Sequence, residues 1–236
     1  MSELIVVRHG QASFGEGSYD RLSERGIEQV RLLARHWQDL GEQFDCIYSG
    51  TLLRQQETAN ELLPLVKGCP DKPLLHASLN EYNSEPLLQI YLRDHMAEEG
   101  FDPALTWPVN DPRLFQQLFE AATSRWVRNE LEPGEQEPTF EHWSSFKSRV
   151  HGALDEIMSR HSKGSRVLIS TSGGVIAMAL QRILNFPDEQ VIATNWMVHN
   201  SSVTRIKYGN GKLSLTQFNA LSHLEKDGLQ QLVTYR

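Results

Sequence analysis

The chain has 236 residues, 39% of them hydrophobic and 22% charged, which suits a folded globular protein of one or two domains. A chain this long buries roughly 70% of its unfolded surface, so a core can form without disulfide or metal staples. Its formal net charge of −7 argues against a broad electrostatic grip on nucleic acid, and no apolar run approaches the roughly 18 residues of a membrane span.

The chain opens Met1-Ser-Glu-Leu-Ile-Val-Val-Arg-His-Gly10, without the basic start and longer apolar stretch of a secretory signal, so the expected location is cytoplasmic. Leu4 to Val7 is a short apolar, partly β-branched run and reads as a buried strand feeding a loop. A polar, glycine-rich segment follows from Gln11 to Asp20. Ser23 caps the next helix, whose apolar face is Ile27, Val30, Ala34 and Trp37, and Gly41 stops it. Cys46 to Tyr48 reads as a second strand, Leu52 to Val66 as a helix, and Pro73 to Leu79 as a third strand. Cys46 and Cys69 form no CxxC pair and no disulfide framework, as expected of a reducing compartment.

From Tyr82 to about Pro138 the strand pattern disappears. Leu87, Leu88, Tyr91 and Leu92 suggest one helix, and Phe115, Leu118, Phe119, Ala122 and Trp126 a second, with a Pro-, Asp- and Trp-containing loop at Phe101 to Pro112 between them. A long helix follows from Phe140, with Trp143, Phe146, Val150, Leu154 and Ile157 on one face. Arg166 to Ser170 is again a buried strand, and Val175 to Leu184 an apolar helix stopped near Pro187. Ser202 to Tyr208 and Leu213 to Phe218 flank Gly209-Asn210-Gly211, a hairpin signal. This order implies an α/β fold: a mostly parallel sheet flanked by helices, an antiparallel C-terminal hairpin, and a helical insertion at about 82–138 in one domain spanning 1–236.

In such sheets ligands sit outside the carboxyl ends of the strands. The polar residues there are Arg8-His9-Gly10 after the first strand, Arg54 one turn into the helix after the second, and Glu81 just past the third. Each alone reads better as a strand-ending histidine, an exposed helix arginine or a solvated loop carboxylate. Jointly they supply a nucleophile, two phosphate clamps and a proton donor. Arginine suits phosphate because its planar fork donates two parallel hydrogen bonds while staying charged.

Leu4-Ile-Val-Val-Arg-His-Gly-Gln11 resembles the signature of the histidine phosphatase superfamily, which includes the cofactor-dependent phosphoglycerate mutases. Leu22-Ser-Glu-Arg-Gly-Ile-Glu-Gln29, Tyr48-Ser-Gly-Thr-Leu-Leu-Arg-Gln-Gln-Glu-Thr-Ala59, Leu79-Asn-Glu81, Asn200-Ser-Ser-Val-Thr204, Phe218-Asn219 and Ser222-His-Leu224 resemble further segments of it, so the likeness covers most of the chain. The resemblance implies a three-layer fold of the phosphoglycerate mutase type. It also implies a phosphomonoester hydrolase in which His9 is phosphorylated, Arg8 and Arg54 bind the phosphoryl group, and Glu81 is the general acid. The expected ligand is a small phosphomonoester or phosphate, with no metal, no cofactor, no nucleic acid and no membrane; no HExxH or Cys/His cluster stands at ligand spacing.

The pattern departs at Ser172, in Ser170-Thr-Ser-Gly-Gly174, where the family has a second histidine. Losing one such preorganised donor typically costs on the order of 100- to 1,000-fold in turnover. The Ser172 hydroxyl and the helix N-terminus at Gly173 are expected to offset part of that by facing the phosphoryl group, with His199, His142 or His151 as candidate substitutes. Three alternatives follow: a phospho-ligand-binding pseudoenzyme, a mutase, and a serine hydrolase built on Ser172, Asp188 and His199. Trp107, Trp126 and Trp143 are candidates for an apolar pocket or for core. Glu130, Glu132, Glu135 and Glu137 make the insertion acidic, which weighs against a highly phosphorylated substrate if they face the site.

Overall fold

The structure, a computed structural model, describes residues 1–13, 20–68, 71–102, 105–109, 111–135, 140–226 and 228–235; Cys69, Glu137, Pro138 and residues 14–19 of the glycine-rich segment lie outside them. The first strand, β1 (Ser2–Arg8), is central in a six-stranded sheet. Beside it on one side lie β4 (Arg166–Thr171), β2 (Cys46–Ser49) and β3 (Leu74–Leu75), in that order. On the other side lie β5 (Val203–Gly209) and β6 (Lys212–Ala220). The first four strands run parallel, whereas β5 is antiparallel to β1 and β6 to β5. The expected mostly parallel sheet with an antiparallel C-terminal hairpin is what forms.

Alternation along the strands assigns the two layers of helices. Ile5, Val7, Ile47 and Leu168 pack on α1 (Glu24–Asp39) and α2 (Leu53–Leu62), which bury Val30, Leu33, Trp37, Ala59 and Leu62. Leu4, Val6, Tyr48, Val167 and Ile169 face the larger core. That core is built by α3 (Ser84–Asp94), α4 (Pro112–Val127), α5 (Trp143–Arg160), α6 (Gly173–Leu184) and α7 (Glu189–Met197). The helix starts follow their caps: Ser23 accepts from the Gly26 amide, Asn83 from Glu85, and Asp111 from Arg113 and Leu114. Such a cap stabilises a helix by about 1 kcal/mol.

Two elements differ from the sequence reading. The third strand is only two residues, because the His76 ring accepts from the Ser78 amide and turns Ala77–Leu79 into a 3₁₀ turn. That turn delivers Glu81 to the sheet end. Helix α7 carries no amphipathic pattern, since only Val191 and Ile192 are buried along it, and it goes unread in the sequence. Trp126 and Trp143 belong to the core: Trp126 is 1% exposed and meets Trp143 edge-on at 4.9 Å. Among the described residues no helix is long and apolar enough to cross a membrane.

Candidate active site

His9 leaves the end of β1 buried, its amide donating to Thr171 O of β4 at 2.8 Å. Its Nδ1 lies 2.7 Å from the Gly10 carbonyl, which can only accept, so Nδ1 carries the ring proton. The Nε2 lone pair is then left to accept from Arg54 Nε at 3.2 Å. Burial, with the Arg54 and Arg8 charges added, holds the imidazole well below its ordinary pKa, so the ring is neutral at neutral pH. The loop behind it packs against α1 with no space for a side chain: a Cβ on Gly10 would lie 2.4 Å from the Gly26 carbonyl oxygen.

Two guanidinium groups flank the ring. Arg8 ends β1 and donates from Nη1 to the Val198 carbonyl. Arg54 sits in the first turn of α2 and pairs through Nη1 with Asp20 Oδ1 at 2.7 Å. Asp20 also accepts the Leu53 amide on Oδ2 at 2.8 Å and the Arg54 amide on its carbonyl at 2.6 Å, so it caps α2 and orients the arginine together. The sequence reading missed this role, because an aspartate 34 residues from its partner carries no local signal.

Glu81 comes from the loop after the 3₁₀ turn at Ala77–Leu79. Its Oε2 accepts the Gly174 amide at 2.9 Å and its Oε1 the Tyr82 amide at 3.2 Å. A Cβ on Gly174 would stand 2.2 Å from that carboxyl, so glycine is what admits Glu81 to the start of α6. Burial raises the Glu81 pKa above the ordinary carboxylate value, outweighing the opposing pull of the Gly174 amide, Arg54 and Arg8.

Arg8, His9, Arg54 and Glu81 line one cleft of about 180 Å³. A neutral imidazole lone pair, two guanidinium groups and a buried carboxyl whose pKa is raised can bind an anion, attack at phosphorus and exchange a proton. The other wall is aromatic and was not assembled by sequence reasoning: Phe115 and Phe119 of α4, Trp196 of α7, Tyr82, and Tyr235 near the chain end. The helical face of Phe115 and Phe119 was legible, but not what it faces.

Ser172 and Gly173 do not line the cleft. Ser172 is 1% exposed, its Oγ accepting from Gln55 Nε2 at 2.8 Å, and Gly173 is buried beneath Asn195. The helix N-terminus expected to draw an anion is occupied instead by Glu81. His199 stacks on Tyr235 at 4.2 Å and bonds Asn219, His142 precedes α5, and the half-buried His151 gives its carbonyl to Arg182; none of them lines the cleft. Asp188 takes Trp143 Nε1 and Lys147 Nζ, at 2.7 and 2.8 Å, so Ser172, Asp188 and His199 each have other partners and make no triad. Trp107 lies behind Phe115 at 6.3 Å. Glu130 pairs with Arg128, Glu132 and Glu135 are exposed, and none of the three faces the cleft. Among the described residues no group of three or more His, Cys, Asp or Glu side chains is placed to hold a metal ion.

The family model of the histidine phosphatase superfamily (branch 1) matches residues 4–113 and 111–221. A metal-independent phosphoserine phosphatase of Arabidopsis thaliana is 25% identical over 241 residues, covering 98% of this chain and 87% of that protein. A 2,3-bisphosphoglycerate-dependent phosphoglycerate mutase of Histophilus somni is 25% identical over 202 residues, covering 81% and 88%. The phosphoserine phosphatase of Entamoeba histolytica, solved in complex with 3-phosphoglyceric acid, superposes with a TM-score of 0.66 at 18% identity, covering 95% of this chain and 100% of that one.

Proposed function

The chain belongs to branch 1 of the histidine phosphatase superfamily, and from that premise we propose that it is a phosphomonoester hydrolase working through a phosphohistidine on His9. The reading takes the chain as one catalytic domain in which the 82–138 insertion serves as a lid, supplying Ser84, Phe115 and Phe119 to the cleft. Arg8 and Arg54 hold the phosphoryl oxygens. The His9 Nε2 lone pair attacks phosphorus in line, and the P–O bond to the alcohol breaks as Glu81 protonates the departing oxygen. Glu81, now a carboxylate, accepts a proton from the water that attacks the phosphohistidine. Phosphate leaves, and both groups return to their starting protonation states.

The observation that carries this reading is the gathering in one cleft of a buried imidazole whose Nε2 lone pair accepts from Arg54, two guanidinium groups and a buried carboxyl. Burial pushes the two titratable groups in opposite directions, His9 down and Glu81 up. A pseudoenzyme that only bound a phospho-ligand, the reading Ser172 favours, has no use for a buried acid in the same cleft as His9. A mutase must place a phosphorylated acid in two orientations, whereas the described residues lining the cleft hold two arginines, both at the His9 end.

The test is leaving-group dependence. Glu81→Gln keeps the shape but has no proton to give. It should slow an alkyl phosphate by 100-fold or more, within the range for a lost general acid, while costing nitrophenyl phosphate far less. Equal losses on both substrates would remove Glu81 from the acid role.

A further inference from the structure

We propose that the alcohol half of the substrate is uncharged and apolar, an aromatic ring or a group of similar bulk, rather than the carboxylate-bearing alcohol of phosphoserine or a phosphoglycerate. This rests on the phosphomonoester reading above and names the substrate class of the same cleft.

The first observation is a balance of charge. Arg8 and Arg54 are the only lysine or arginine side chains among the described residues lining the cleft, and both flank His9. Arg54 already shares its charge with Asp20. A phosphoryl dianion therefore engages both guanidinium groups. Asn195 donates to the Tyr82 hydroxyl at 3.3 Å and Asn200 to the His9 carbonyl at 3.2 Å, and both amides are neutral, so neither offers a charge to an anion. A carboxylate on the alcohol half would meet no further lysine or arginine side chain among the described residues lining the cleft, and an unpaired charge in such a place is strongly disfavoured.

The second observation is the shape of the far wall. Phe115 and Phe119 stand one helical turn apart on α4, their centroids 6.1 Å apart. Trp196 of α7 meets Phe119 edge-on at 5.0 Å. Tyr82, buried against Trp126 at 4.7 Å, joins the floor to the phosphate end. An aromatic wall set by packed helices offers a ring the edge and face contacts that aromatic pairs prefer. A cleft of about 180 Å³ is small beside the roughly 300–1,000 Å³ of drug-sized sites, which suits one ring and its phosphate rather than a nucleotide.

The probes are 2-phenylethyl phosphate, phosphoserine and 3-phosphoglycerate, all primary alkyl phosphates that make comparable demands on Glu81. The wild-type kcat/KM should be at least tenfold higher for the phenylethyl ester. Calorimetric titration of His9→Ala, which cannot be phosphorylated, should show the same order in Kd. Phe115 is half-buried at the rim. Phe115→Arg, which supplies the missing cation, should shift the kcat/KM ratio tenfold or more toward 3-phosphoglycerate, and Phe115→Ala should narrow the preference without reversing it. Phosphoserine or 3-phosphoglycerate matching the phenylethyl ester in both turnover and binding overturns the substrate class and leaves the hydrolase reading standing. Selective binding of the phenylethyl ester with turnover of none of the three supports the ligand class and overturns the hydrolase reading.

Discussion

Replacing Ser172 by histidine would supply the imidazole that the sequence resemblance leads one to expect before the Gly-Gly of α6, and the packing around Ser172 stands in its way. The register of β4 sets Thr171 opposite Arg8, so position 172 lies beside His9. The space there is filled by Gln55, fully buried, whose amide donates to Ser172 Oγ at 2.8 Å and to the Leu79 carbonyl at 3.1 Å. An imidazole adds about four heavy atoms to the serine, and overpacking of that size costs about 1–3 kcal/mol. Ser172→His alone should therefore lower stability by that amount in urea titrations, with no gain in turnover. Gln55→Ala removes a similar volume, so the double variant should regain most of the loss and let the imidazole reach the phosphoryl group. One charged donor worth about 1.4 kcal/mol in the transition state is tenfold in rate, so kcat for an alkyl phosphate should rise by about that factor or more. A single variant as stable and as fast as the double would show that Gln55 does not occupy the histidine's place. A folded double variant no faster than wild type would show that the missing imidazole has no work left to do.

Two further outcomes follow from the geometry. Asp20→Asn keeps an acceptor for the Leu53 amide but removes the charge that orients Arg54, so kcat/KM should fall about fivefold, roughly 1 kcal/mol, with little change in Tm; an unchanged kcat/KM would show that Arg54 holds its place without Asp20. His223, buried and bonded to Ser201 at 2.8 Å, is held down to about 3 by burial and then by nearby His36. The unfolded chain therefore takes up that proton first, near pH 6.5, and stability is full above that pH and falls below it. Between pH 7.5 and 5.0 this one site should remove about 2 kcal/mol. His223→Asn should flatten the urea-monitored pH dependence by that amount, and an unaltered slope would place the acid sensitivity elsewhere.

Much of the fold could be read because its signals are local. Leu4–Val7 and Val167–Ile169 are apolar runs buried on both faces, and they appear within β1 and β4. Arg8 ends β1 with His9 just past it, Arg54 and Glu81 follow β2 and β3, and the parallel sheet gathers those ends into one cleft. What escaped depends on contacts between distant segments. Asp20 acquires its role only when α2 docks beside it, and Phe119 becomes a cleft wall only because α7, itself unmarked by periodicity, brings Trp196 against it. The reading of Ser172 as a phosphate-facing hydroxyl rested on its place before Gly173. The side chain turns instead to Gln55, and that large buried amide next to Arg54 was the signal available in the sequence.

The central claim is a covalent phosphoryl group on His9, and the most direct measurement is rapid acid-free quenching of the enzyme with ³²P-labelled phosphomonoester, followed by peptide mapping. Label should be trapped at His9 and should survive base and be lost in acid, as a phosphoramidate is; His9→Ala should trap none and hydrolyse nothing. Turnover at the wild-type rate by folded His9→Ala, or label recovered on Ser172 as an acid-stable ester, would contradict the mechanism.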